Sequence, residues 1–114
     1  MPTASRGEIW WADLGAPEGH EQSGLRPVVV LQAEDLNHLS TTIVVPLSSK
    51  THHAGFATVV HLPAADTGMN ADSYALCQHL RVLDREKLQR KAGDLSPIRL
   101  SDIEAAVAFI LGLP

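Results

Sequence analysis

The apolar positions of this chain fall mostly in short runs bounded by glycine and proline, a pattern that predicts strands. Glu8 to Leu14 (EIWWADL), set between Gly7 and Gly15, is rich in strand-favouring residues and reads as the first strand. Val28 to Gln32 (VVVLQ) is a continuous apolar run introduced by Pro27, which predicts a central strand buried on both faces. Thr41 to Leu47 (TTIVVPL) is a third, and Pro46, lacking a backbone donor, places that end at an edge or where pairing stops. Ala57 to Leu62 and Ser73 to Val82 supply the remaining short strands, making the chain mainly β (α+β). Two helices are expected near the end. A short one starts near Asp84, and a longer one starts at Ser101, where Ser101-Asp102-Ile103-Glu104 fits a capping box. Ile103, Val107, Ile110 and Leu111 form one stripe at helical spacing, so the last helix packs onto the sheet.

Composition narrows the picture. At 114 residues and 45% apolar the chain is expected to form one domain around one core. The lone Cys77 can form no internal disulfide, and positions 1–7 hold no apolar run of signal-peptide length, so a cytoplasmic protein is expected. The longest apolar stretch, Ala105 to Leu113, falls short of the roughly 20 residues a bilayer needs, and no membrane span is expected. A net charge of −4 and a pI near 5.8 disfavour binding of duplex nucleic acid through a broad basic surface. Any nucleic-acid site must be local. Arg85, Lys87, Arg90 and Lys91 crowd together, and this cluster reads first as a solvated helix face.

The segment from Gly15 to Arg26 (GAPEGHEQSGLR) is long for a connection between strands, which points to a functional loop. If the strands flanking residues 34–40 are antiparallel neighbours, the start of one lies beside the end of the other, and Arg26 stands next to Ser48. A fixed positive charge and a hydroxyl beside a loop suit the stabilisation of a phosphoryl group, with Arg26 bearing the charge and Ser48 orienting by hydrogen bonding. The plainer alternative is that Arg26 pairs with a loop carboxylate such as Glu21 and that Ser48 merely ends a strand. The six histidines, including adjacent His52 and His53, show no metal-ligand spacing, and no metal or cofactor is expected. His79, beside Gln78, could reach the same cleft and read a base edge. Cys77 reads as a small buried hydrophobe. Trp10 and Trp11 point to opposite faces of their strand, so only one can face the core, leaving the other to stack on a base or a partner.

Taken together, Arg6-Gly7-Glu8-Ile9-Trp10-Trp11, Glu21-Gln22 before Gly24-Leu25-Arg26-Pro27-Val28-Val29-Val30, Ile43-Val44-Val45-Pro46-Leu47-Ser48, and Leu76-Cys77-Gln78-His79-Leu80-Arg81-Val82-Leu83-Asp84 resemble the MazF/PemK toxins. The resemblance covers nearly the whole chain. It implies a small SH3-like barrel of roughly five to seven antiparallel strands with a C-terminal helix, paired as a homodimer. It also implies metal-independent cutting of single-stranded RNA, most of all messenger RNA, at short sequences, leaving a 2′,3′-cyclic phosphate and a 5′-hydroxyl. A MazE-like antitoxin would lay a flexible acidic tail across the RNA groove. By position Arg26 and Ser48 match the catalytic pair, Glu21 and Gln22 the loop motif beside them, and Trp11, Gln32, Gln78 and His79 complete the substrate-binding set. Two departures stand out. Serine replaces the usual threonine at position 48, which keeps the hydroxyl but loses the branch that restricts χ1. His79 stands where glutamine is common, which bears on the sequence preferred.

Two other readings compete: a CcdB-like toxin that binds DNA gyrase without catalysis, and a silent barrel that only binds a partner. The gyrase poisons resemble one another in a tryptophan near the extreme C-terminus, whereas this chain ends Leu111-Gly112-Leu113-Pro114. They have no need of the Arg26 and Ser48 pair.

Overall fold

The three apolar runs seen in the sequence form the middle of the structure, a computed structural model that describes residues 3–17, 19 and 22–114. Strands β1 (Glu8–Asp13), β2 (Leu25–Val30), β3 (Thr41–Ser48), β4 (Val59–Leu62), β5 (Ser73–Leu76), β6 (Arg81–Asp84) and β7 (Leu88–Asp94) precede one helix, α1 (Pro97–Leu111). All pairings are antiparallel, in the order β4-β5-β3-β2-β1-β7, with β6 also on β3. Val28, Val29 and Val30 are all fully buried because both faces of β2 are covered. Val29 packs with Ile9, Val45, Leu47 and the helix residues Ile103 and Ala106, while Val28 and Val30 pack with Ala4, Ala12, Val44 and Leu88. A strand inside both clusters reads as an unbroken apolar run.

Among the described residues the strand pairings form an open path rather than a closed ring, so the barrel expected from the resemblance is a sheet whose two ends do not pair. The turn Ala64–Asp66 and the residue after it span the gap. Asp94 N–H donates to the Thr67 carbonyl at 3.1 Å, and Ser96 N–H donates to the Asp66 carbonyl at 2.8 Å. Gly93 lies under this crossing, where a Cβ would collide with the Thr67 carbonyl oxygen.

Two sequence expectations are corrected here. The helix expected near Asp84 is a single 3-10 turn, Arg85–Lys87, followed by β7. Leu88 is buried against β1 while Gln89, Arg90 and Lys91 face outward, so the basic cluster is split: Arg90 and Lys91 decorate an edge strand, Lys87 lies in the turn before it, and Arg85 is buried rather than on a solvated face. The main helix starts at Pro97, four residues before Ser101. Ser96 caps it by accepting the Arg99 N–H, and Pro97 occupies the first turn, a stronger start than the capping box read at Ser101. Glu104 pairs instead with Arg6, which also donates to the Leu31 carbonyl. Ile103 is buried and Val107 and Ile110 pack on the core as expected, but Leu111 remains 55% exposed. Among the described residues no helix is long and apolar enough to cross a membrane.

Candidate active site

The site arises where β3 changes partners. Its first half pairs with β6, ending at Val44 opposite Arg81, and its last two residues pair with β5, Leu47 opposite Ala75 and Ser48 opposite Tyr74. On the β2 side the ladder ends at Val28 opposite Pro46. Pro46 has no N–H to donate, and Pro27 on the adjacent rung has none either, so the strands stop zipping there. Continuing the register two residues past that last rung sets Arg26 opposite Ser48. This is the juxtaposition read from chain direction in the sequence.

Arg26 and Ser48 line one cleft of about 450 Å³ with Trp11, Asn70, Asp72 and Ser73. That volume suits a nucleotide-sized ligand. Arg26 is half-buried, and its Nε donates to the Ser23 carbonyl at 3.0 Å, which holds the side chain in place. Among the described residues no carboxylate pairs with it, so both terminal nitrogens keep their donors for a ligand. Glu21, the alternative partner weighed from sequence, lies outside the described residues. Ser48 is 5% exposed, and its Oγ accepts the Lys50 N–H at 3.1 Å. An oxygen already accepting on one side leaves its O–H proton free to donate.

The two tryptophans divide as their alternation requires. Trp10 packs against the second cluster and donates its Nε1 to Glu8 at 3.1 Å. Trp11 lines the cleft, with the Arg90 guanidinium 5.3 Å from its ring centre. A neighbouring pocket of about 370 Å³ brings Gln22, Gln78 and His79 together with Pro46 and Arg81. Pro46 lines the second pocket and Leu47 and Ser48 the first, so the end of β3 forms the ridge between them.

Gln32 does not join the others. It is 8% exposed, and its Nε2 donates to the carbonyls of Leu36 at 3.2 Å and Thr41 at 3.1 Å, bracing the connection between β2 and β3. Sequence reasoning missed the segment from Asn70 to Ser73. Its signal was available in retrospect: a polar stretch entering a strand that runs antiparallel to β3 must reach the Ser48 end. Asp72 accepts the Ala64 N–H and faces His61 at 2.9 Å, and these contacts, the backbone one foremost, hold its carboxyl below the usual range. Cys77 is buried in the core, where desolvation pushes its thiol up to about 11, leaving it an inert packing group. Among the described residues no cluster of three or more His, Cys, Asp or Glu side chains is arranged to hold a metal ion.

Comparison with known proteins identifies the relatives of this fold. Residues 5–111 match the family described as PemK-like, MazF-like toxin of type II toxin-antitoxin system. The chain is 32% identical over 109 residues to the endoribonuclease MazF of Staphylococcus saprophyticus, covering 95% of this chain and 91% of that protein. In solved structures it is similar to MazF of Deinococcus radiodurans, at 23% identity and a TM-score of 0.85, covering 99% of this chain and all of the other. It is likewise similar to a mycobacterial endoribonuclease solved in complex with its cognate antitoxin, at 23% identity and a TM-score of 0.81, covering 97% of both chains. The chain therefore belongs to the PemK-like, MazF-like toxin family of type II toxin-antitoxin systems.

Proposed function

We propose that this toxin is a sequence-specific endoribonuclease that cuts single-stranded RNA, messenger RNA foremost, and so stops translation and growth. The observation that carries the reading is an arginine whose terminal donors are uncommitted among the described residues, lining the same nucleotide-sized cleft as a serine hydroxyl at the unzipped end of two strands. The 2′-hydroxyl beside the scissile phosphate attacks phosphorus. The O2′–P bond forms as the P–O5′ bond breaks, the attacking hydroxyl loses its proton to the wet cleft, and the departing 5′ oxygen gains one. The products are a 2′,3′-cyclic phosphate and a 5′-hydroxyl. Negative charge gathers on the non-bridging oxygens, and the Arg26 guanidinium meets it with two parallel donors. A guanidinium has no acceptor and holds its proton firmly, so charge stabilisation is the main task of this residue. Ser48 donates its O–H to the same phosphate. The guanidinium supplies the charge that a divalent ion would otherwise bring, so the reaction requires no metal or other cofactor.

Trp11 offers a ring for base stacking, and Gln22, Gln78 and His79 offer donors and acceptors to base edges. Glu21 belongs to the same loop motif. The single-domain chain works in the cytoplasm as a homodimer, and a MazE-like antitoxin neutralises it by laying an acidic segment over the same groove. The mycobacterial endoribonuclease solved in complex with its cognate antitoxin supports an antitoxin partner.

The test incubates purified protein, in excess chelator, with a long unstructured RNA and with DNA of the same sequence. Discrete cuts in RNA alone, bearing 5′-hydroxyl ends, are expected. Arg26→Ala should reduce them by about 10²-fold or more while melting temperature and oligomeric state stay unchanged. Intact RNA after treatment with folded, antitoxin-free protein would overturn the reading and bring gyrase binding forward.

A further inference from the structure

The nuclease reading uses Arg26 and Ser48 but leaves aside the strands beyond them. One rung of the sheet runs on past the pair. Ser48 on β3 stands opposite Tyr74 on β5, and Tyr74 stands opposite His61 on β4. Residues directly opposite in antiparallel strands present their side chains on the same face. Arg26, Ser48, Tyr74 and His61 therefore form one row across four strands, in that order, with Arg26 placed by continuing the register from Val28 and Pro46. The rings of Tyr74 and His61 are stacked on that face, with centroids 5.2 Å apart and planes 21° from parallel.

Asp72 bridges the cleft and this ring pair. It lines the cleft that holds Arg26 and Ser48, and its Oδ2 lies 2.9 Å from His61 Nε2. Its Oδ1 accepts the Ala64 N–H at 2.9 Å, which fixes the carboxylate. The imidazole, held at Nε2, backs the tyrosine ring from the β4 side, and the opposite face of that ring is turned along the row toward Ser48. The pair is open to a ligand, since the His61 side chain is 51% exposed and Tyr74 is partly so. Neighbouring strands lie about 4.8 Å apart, so about 10 Å separates the Arg26 and Tyr74 positions, with the small Ser48 side chain as the floor between them. A base stacked on the ring takes about 3.4 Å of that width and leaves room for a phosphate under the guanidinium.

We infer that Tyr74, backed by His61, is a stacking subsite for the base of a nucleotide flanking the scissile phosphate. The RNA is then gripped by a guanidinium on its phosphate and an aromatic face on its base. This assignment deepens the ribonuclease reading above and rests on it. Every base has a π face, so the subsite takes all four and adds affinity more than sequence choice, with purines held best because their rings are wider. Reading of base edges falls to the separate pocket of Gln22, Gln78 and His79.

The test uses a 2′-O-methylated, uncleavable single-stranded RNA spanning the mapped cut site, either intact or with one base removed at a nucleotide flanking the cut. Removing the base that stacks should weaken binding to the wild-type protein about tenfold. Tyr74→Val keeps a strand-favouring residue; it should weaken the intact probe by the same factor and the base-less probe no further. Tyr74→Phe keeps the ring and should bind both probes as the wild type does. Tyr74 is the only tyrosine in the chain, so its ring resonances report on the site in the unaltered protein. They are expected to move upfield with the intact probe bound and to stay in place with the base-less one. Equal weakening of both probes by Tyr74→Val, or tyrosine resonances that do not respond to the bound intact probe, overturns the proposal. Failure of the ribonuclease reading would look different: RNA with free 2′-hydroxyls would stay intact, leaving no cut for a subsite to flank and overturning both.

Discussion

Two arginines in this molecule show how the same side chain serves two ends. Arg85, 1% exposed, is fully spent: Nε donates to the Leu39 carbonyl at 2.9 Å, one terminal nitrogen to the Ala4 carbonyl at 3.1 Å, and the other to Asn37 Oδ1 at 3.3 Å. It ties the N-terminal segment, the connection between β2 and β3, and the turn after β6 into one knot. Arg26 is half-buried and, among the described residues, held by a single hydrogen bond through Nε, with its fork at an open cleft. What separates structure from function here is not burial of charge but the fraction of donors left uncommitted. Neither arginine has a carboxylate partner among the described residues, so a search for ion pairs would not tell them apart.

The sharpest way to break the comparison is to remove each fork. Arg85→Ala strands three acceptors, the Ala4 carbonyl in a buried position, and leaves a cavity, and should cost about 3–5 kcal/mol of stability, visible as a large fall in denaturation midpoint. Arg26→Ala, by contrast, should melt with the wild type. If Arg85→Ala proved as stable as Arg26→Ala, the knot would be dispensable and the contrast empty. Ser48→Ala comes next in size. Its Arg26 partner remains, so cleavage should drop only about tenfold, equivalent to about 1.4 kcal/mol, with stability little changed. A loss as large as that from removing Arg26 would promote Ser48 from orienting the phosphate to a share in the main charge stabilisation.

The smallest effect concerns acid. Hydrogen bonds from Arg99 and from Ser96 hold Asp66 below its ordinary value of 3.8, and backbone and histidine contacts do the same for Asp72. A depressed carboxyl contributes stability that is complete above its unfolded pKa and is lost as pH falls through the folded one. A modest loosening of residues 64–72 is therefore expected below about pH 4, read as faster amide exchange there than in β2, and Asp66→Asn should remove most of it. Uniform acid sensitivity across the sheet would show that these two carboxyls carry no special share.

The contrast between the arginines was only half legible in the sequence. Arg26 and Ser48 could be brought together because adjacent antiparallel strands with a short connection leave little freedom in where their ends meet. Arg85 sat in a run of charges that reads as a helix face, and nothing local reveals that three acceptors distant in sequence converge on it. The same run concealed β7, whose outward charges mask the inward Leu88 and Ala92. The helix start was misplaced because two valid capping patterns stand five residues apart, and only packing chooses between them; Glu104 is claimed by Arg6. Gln32 looked available for a base, yet its amide is spent on the carbonyls of Leu36, within the connection that joins β2 to β3, and Thr41, at the start of β3. The stretch from Asn70 to Ser73 was harder to place, because β5 meets β3 across an intervening strand in the chain.

Pro27 and Pro46 do more than end a ladder. Strands can slip past one another during folding, and a slip of one residue between β2 and β3 would put the valines of each core cluster into the other and carry a proline ring onto a rung that must donate. The two rings thus act as an error-correcting mark written into covalent structure: a misaligned chain is penalised at the rungs nearest the site. The partnership of Arg26 with Ser48 is proofread while the sheet assembles, before any substrate arrives to test it.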